Sequence, residues 1–229
     1  MKAKITKEQL AHLLWDYLPF NAEHSKFLIK TDVYFSFNGE APKKPKHIIR
    51  LRNEVAYNFK DILKERGVEW DPLSYKENAD LELVAEKSIE MLQTLMTTDK
   101  QYCLLTVKEK RTVEDSEMNT EYEGEMSKKA GMAFYEAMKV ANFKPYFSKN
   151  KNSISFYVEK DLHVEKDLHC EIVSVNGSDV YLEVESCTDE PTIPTPTERI
   201  RKFMNDLGIT EFDTRSWADI IDETLQKNK

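Results

Sequence analysis

The chain has 229 residues, 40% of them hydrophobic and 32% charged, with a formal net charge of -8. That length suits one large domain or two small ones. The acidic balance argues against a protein that coats nucleic acid, because phosphate binding leaves a basic footprint. Glycine occurs only six times, and neither G-x-x-x-x-G-K-[ST] nor G-x-G-x-x-G is present, so P-loop and dinucleotide-binding readings are excluded.

The three cysteines, Cys103, Cys170 and Cys187, are odd in number and widely spaced. A disulfide framework or a CxxC zinc site is therefore not expected, and a reducing cytoplasm is the simpler setting. No apolar run reaches the ~18–20 residues of a membrane span, and the N-terminus lacks the basic-then-apolar pattern of a secretory signal.

In chain order, Thr6 and Gln9 form a capping box ahead of the stripe Leu10, Leu13, Leu14 and Leu18, which predicts a helix over 6–18 closed by Pro19. Residues 26–37 are β-branched and aromatic and predict a strand that ends at Asn38-Gly39. Residues 41–46 read as loop and 47–53 as the next strand. A helical insertion at about 54–100 follows, with a short helix ending at Gly67 and a longer one over Leu81 to Leu95. Strand 102–113 comes next, then a charged stretch around Glu121 and Glu123 that suits a strand, then a helix over 127–141 stopped at Asn142. A turn is expected near Asn150, with a strand at 153–159. Strands 168–175 and 180–186 flank Asn176-Gly177, a hairpin signal. A Pro/Thr linker from Pro191 to Thr197 leads to a C-terminal helical segment at about 198–229, with helices at 198–206 and 216–226. EKDLH occurs at 159–163 and again at 165–169, too short a repeat to be architectural, and reads as a charged hairpin extension.

Several predicted strands carry like charges two residues apart: Arg50/Arg52, Lys108/Lys110, Glu121/Glu123, Lys149/Lys151 and Glu183/Glu185. Each pair shares one face of its strand. If the sheet curls into a barrel, these faces line one interior. Unpaired buried charges cost several kcal/mol, so such an interior requires an anionic ligand for the bases and a divalent cation for the acids. Polyphosphate with Mg2+ or Mn2+ meets both needs.

The sequence resembles the CYTH, or triphosphate tunnel metalloenzyme, family, and within it the class IV adenylyl cyclase branch. TDVYF at 31–35 is similar to that branch's TDTYF, IIRLRNE at 48–54 to L-R-x-R-E, LLTVKEKR at 104–111 to T-x-K, and NTEYE at 119–123 to R-T-E-Y-E. Lys149 and Lys151 fall where the family has K-x-R-x-x-Y, Glu171 near the acid of x-D-x-V, and VYLEVES at 180–186 resembles F-x-E-I-E. LGI at 207–209 and TRSWADII at 214–221 resemble the closing L-G-I … R-S-Y-x-x-L-L, with Trp217 in the place of the tyrosine. Two features depart from the pattern: the family's acidic first strand, E-x-E-x-K, is replaced by MKAKI, and Asn119 stands in place of an arginine.

The resemblance implies an α+β fold of one domain over 1–229, a mainly antiparallel eight-stranded β-barrel tunnel with helices outside. It implies that Arg50, Arg52, Lys108, Lys110, Lys149, Lys151 and Arg215 bind a triphosphate. Glu183 and Glu185, with Glu121, Glu123 or Glu171, would hold Mg2+ or Mn2+, and Glu183, Glu185 and Lys108 would serve catalysis. The implied reaction is conversion of ATP to cyclic AMP and pyrophosphate. The alternatives are a triphosphatase acting on inorganic, thiamine or nucleotide triphosphate, and a tunnel that binds nucleotide or polyphosphate without turnover. The expected partners are a nucleoside triphosphate or other triphosphate, and a second copy or another protein at the helical insertion.

Overall fold

The computed structural model describes residues 1–17, 25–37, 39–40, 47–70, 81–94, 102–113, 116–158, 168–186 and 194–227. The elements run β1 (Lys2–Lys4), α1 (Lys7–Asp16), β2 (Lys26–Phe37), β3 (His47–Asn58), α2 (Phe59–Glu65), α3 (Leu81–Gln93), β4 (Tyr102–Val113), β5 (Ser116–Met126), α4 (Lys128–Val140), β6 (Phe143–Val158), β7 (Leu168–Val175), β8 (Tyr181–Glu185), α5 (Pro194–Asp206) and α6 (Trp217–Lys227). The fold is α+β, and its eight strands form one sheet in the order β1-β8-β7-β6-β2-β3-β4-β5. β1 and β5 end that order, so among the described residues the sheet is open. β1 offers only three residues, all paired to β8.

Local chemistry explains most element boundaries. The capping box forms: Thr6 Oγ1 accepts from the Gln9 amide at 3.2 Å, and the Thr6 amide donates to Gln9 Oε1 at 2.9 Å. Asn176 and Gly177 both take positive φ, 51° and 73°, in a tight turn closed by the Ser178 amide donating to the Val175 carbonyl at 3.0 Å; β8 begins at Tyr181. Asn142, at φ 62°, stops α4 where expected. α5 begins at Pro194, earlier than the expected 198. Proline fits a helix's first turn, where no intrahelical N–H donor is needed. Pro19, the loop at 41–46 and most of the EKDLH repeat lie outside the described residues.

The expected turn near Asn150 is absent: β6 runs unbroken from Phe143 to Val158. The run Lys149-Asn150-Lys151-Asn152 looks like turn chemistry, yet its polar ends find partners beyond the strand. Asn150 Oδ1 accepts from Thr31 Oγ1 at 2.9 Å, and Lys149 Nζ stands 3.8 Å from Asp32 Oδ2.

The chain forms two compact units, and β2, β3 and β6 each begin in one and end in the other. The first comprises Met1–Leu28, Ala56–Leu95 and Asn152–Lys229. One sheet face there places Ala3, Ile154, Phe156, Cys170, Ile172, Leu182 and Val184 in the core, each almost wholly buried. Helix α3 packs against both α1 and β7. On the other face Val173 and Tyr181 pack with Ile220 and Trp217 of α6. Trp217 thus anchors the last helix, with its ring edge-on to Tyr181.

The second unit comprises Ile29–Val55 and Met96–Lys151. Its long β4 pairs β3 through Arg50↔Thr106 and β5 through Thr106↔Glu123. α4 packs on β4, and Phe134 and Tyr135 meet Phe35 edge-on at 6.3 and 5.7 Å.

Asn152 ties β6 to the end of α3. Its Nδ2 donates to the carbonyls of Met91 at 3.4 Å, Leu92 at 3.2 Å and Thr94, which a helix C-terminus leaves without intrahelical donors. Asn152→Leu is expected to cost about 1–3 kcal/mol. In a thermal melt this appears as a fall of about 2–4 °C per kcal/mol. An unchanged melting temperature would remove this tie from the account of α3.

Candidate functional site

The second unit concentrates bases on one sheet face. Strand alternation puts Lys30, Asp32 and Tyr34 of β2, Arg50, Arg52 and Glu54 of β3, and Thr106, Lys108 and Lys110 of β4 on the same side. The register adds Glu121 and Glu123 of β5, and β6 adds Lys149 and Lys151. Among the described residues of this face, bases outnumber carboxylates, and Lys30, Arg50, Lys149 and Lys151 are buried.

Asp32 is fully buried at the centre. Arg52 grips it in a fork, Nε to Oδ1 at 2.6 Å and Nη2 to Oδ2 at 2.9 Å, and the Tyr34 hydroxyl donates to Oδ2 at 3.1 Å. Lys149 Nζ lies 5.6 Å from the Tyr34 ring centre. Burial alone would raise the Asp32 pKa, but Arg52 and the further positive charges of Lys149 and Arg50 outweigh it and hold the carboxyl well below its usual range. Tyr34 is pushed well above the usual phenol range by burial and by the Asp32 charge.

Arg50 is the other buried fork. Its Nη2 donates to Thr106 Oγ1 at 2.8 Å and to Glu123 Oε2 at 3.2 Å, while its Nε is buried with no hydrogen-bond partner among the described residues. Such an orphaned donor calls for an acceptor. Lys108 pairs with Glu121. Burial and the nearby Arg50 charge pull its ammonium below the usual lysine range, against the pull of Glu121. Lys110 is half-buried, opposite Asn119 in the register.

The remaining predicted site residues lie in the first unit. Glu171 and Glu183 face each other across β7 and β8, as do His169 and Glu185. Glu171 is buried, with Ser153 Oγ at 3.5 Å. Trp217 Nε1 donates to Glu183 Oε1 at 2.8 Å, and His169 bridges Glu185 at 2.7 Å and Ser155 at 2.8 Å. Arg215 is engaged by Asp213 and Glu223, and its carbonyl accepts from Lys2 Nζ. Lys2 stands opposite Glu183 in the register, and Lys4 pairs with Asp179 at 2.6 Å. Among the described residues, no three His, Cys, Asp or Glu side chains converge to hold an ion.

The structure thus gathers Arg50, Arg52, Lys108, Lys149, Lys151, Glu121 and Glu123 in one unit, and Glu171, Glu183, Glu185 and Arg215 in the other. Sequence reasoning missed Asp32, Tyr34 and Thr106 as members of the site. The available signal was an aspartate inside the largely apolar strand FLIKTDVYF, two residues from Lys30, since a charge in a buried strand implies a buried partner.

Asp32 generates two expected outcomes. Its folded pKa lies below its unfolded value of about 3.9. Its contribution is therefore complete above about pH 4 and is lost as pH falls towards the folded value. Denaturation curves from pH 6 down to 2 should show an acid loss that Asp32→Asn lacks. Arg52→Met, which strands the carboxylate, should cost about 3–5 kcal/mol, and the double variant Asp32→Asn/Arg52→Met should recover most of it. Additive losses in that cycle would contradict the pairing.

No family model matches the chain, and no curated protein does. Solved structures do. A protein of Pyrococcus horikoshii OT3, PH1819, is 17% identical with a TM-score of 0.64, the match covering 97% of each chain. A proposed adenylate cyclase of Vibrio parahaemolyticus is 10% identical with a TM-score of 0.59, covering 97% of this chain and 95% of that one. HpAC1 of Hippeastrum, a proposed adenylyl cyclase described as having a dominant triphosphatase activity, is 13% identical with a TM-score of 0.55, covering 98% and 94%. At these identities the likeness establishes the shared fold alone.

Proposed function

We propose that the protein binds a nucleoside triphosphate on the basic face of the second unit and converts it with the help of Mg2+ or Mn2+. The observation that carries this reading is Arg50. Its guanidinium is buried beside Arg52, Lys108 and Lys149, with Nε lacking an acceptor among the described residues. A planar fork among further cations suits phosphate oxygens. The likeness in fold to a proposed adenylate cyclase gives the same direction.

Bound phosphate competes with the carboxylates these bases now hold. As Arg50 turns to a phosphate oxygen, it releases Glu123, and Lys108 likewise releases Glu121. Mg2+ generally takes one or two protein carboxylates, with phosphate and water oxygens completing its shell. The donor set therefore fits a cation that arrives with the triphosphate, and Glu121 and Glu123 would hold it in this unit. The cation would neutralise charge developing on the phosphoryl oxygens. Arg52, clamped by Asp32, would stay fixed and orient the chain of phosphates. In the cyclase reading, the ribose 3′-hydroxyl oxygen forms a new bond to the α-phosphorus, the bond from that phosphorus to the pyrophosphate oxygen breaks, and the hydroxyl proton passes to water. A second reading, water attack on the terminal phosphate, is favoured by the triphosphatase activity described for the Hippeastrum neighbour.

The decisive test is incubation of the protein with ATP and Mn2+ and chromatography of the nucleotides. Cyclic AMP with pyrophosphate is the expected product, and ADP with phosphate would move the reading to the triphosphatase. Lys108→Met and Arg50→Lys should each lower kcat/KM by about tenfold to a hundredfold, the worth of one charge-assisted contact. ATP returned intact, with no shift in melting temperature on adding it, would overturn both readings.

A further inference from the structure

The reverse face of the second unit's sheet holds a cavity of about 290 Å3, lined by Val33, Leu51 and Cys103 from the strands and by Gly131, Met132 and Tyr135 from α4. Its origin is visible in the packing. Gly131 is the buried residue of α4, and a Cβ there would stand 2.4 Å from Cys103 Sγ. The helix is thus pressed on β4 at that one point, while Met132, the next residue, is 65% exposed. The thiol is pushed above its usual range by burial, which makes Cys103 an inert part of the wall.

An engineered apolar cavity of about 150 Å3 stays dry and takes up benzene, so this one has room for a body of roughly ten heavy atoms. Two charges stand at its rim, Lys128 and Glu136. Glu136 is already satisfied, with Lys139 Nζ at 3.0 and 2.9 Å from its two oxygens. The Lys128 side chain has no ion pair or hydrogen bond among the described residues. Thr31 and Asn53 are the other polar residues of the lining, so the uncompensated charge at the cavity is positive.

We propose that this cavity binds a small amphipathic anion, with its apolar body against Val33, Leu51 and Met132 and its acidic head at Lys128. Most small-molecule sites have this make-up, an apolar lining with one or two polar groups that fix orientation. The site is independent of the triphosphate reading, because it lies on the opposite face of the strands and uses none of the bases placed there.

Octanoate, with a carboxylate on a short chain, is the probe. Calorimetric titration of the full chain should show one site with a dissociation constant of about 0.1–1 mM, within the efficiency of ligands this small. Octylamine, equal in length and opposite in charge, should bind at least about fivefold more weakly. Lys128→Ala, an exposed change that leaves the core alone, should weaken octanoate by about fivefold. Val33→Phe, which fills the cavity, should abolish binding. No saturable binding, equal binding of the amine, or octanoate affinity unchanged in Lys128→Ala would each overturn the proposal.

Discussion

The charged face depends on one buried ion pair. Asp32 is wholly buried, a position no lone carboxylate can hold without several kcal/mol of desolvation cost. Arg52 offsets that cost with a two-bond fork, and Tyr34 satisfies a further lone pair. The consequence reaches past the pair itself. With its side chain tethered to β2, Arg52 is held in place, its Nη1 3.7 Å from Glu54 Oε2, and the positive charges of Arg50 and Lys149 gain a fixed negative neighbour. The face can therefore hold more bases than acids without tearing itself apart.

The two kinds of pairing on this face differ in what they permit. Asp32 and Arg52 are both shielded from water, so their bond is structural. Glu121 and Glu123 sit on an outer strand and are 36% and 42% exposed, so their bonds to Lys108 and Arg50 are exchangeable. A ligand anion competes well with a hydrated surface carboxylate and poorly with a buried one. Fixed and exchangeable bases thus stand side by side, the first holding geometry and the second available to bind.

Much of this was legible in the sequence where the cause is local. Thr6 and Gln9 cap a helix through atoms three residues apart, and Asn176-Gly177 makes a turn from its own backbone freedom. The bounds of β2 and β4 follow from β-branched residues bracketed by turn chemistry, and the alternation of Arg50/Arg52 and Lys108/Lys110 gave the shared face of each strand correctly. What failed was set by distant partners. The stretch around Asn150 has the composition of a turn, and its partners Thr31 and Asp32, distant in sequence, hold it as a strand. Asp32 was overlooked for the same reason, since its meaning lies in Arg52, 20 residues away. The clusters around Glu123 and Glu183 belong to different compact units, a division that strand periodicity does not carry.

β5 closes the sheet order, so one edge of its backbone has no strand beside it among the described residues. An uncovered edge of this length is a template for adding another chain. Glu121, Glu123 and Glu125 stand along it at every second position, all exposed. A second β5 docking there in antiparallel fashion would bring like charges across from like, which disfavours the pair. The acids that balance Arg50 and Lys108 therefore also guard the chain against edge-to-edge aggregation.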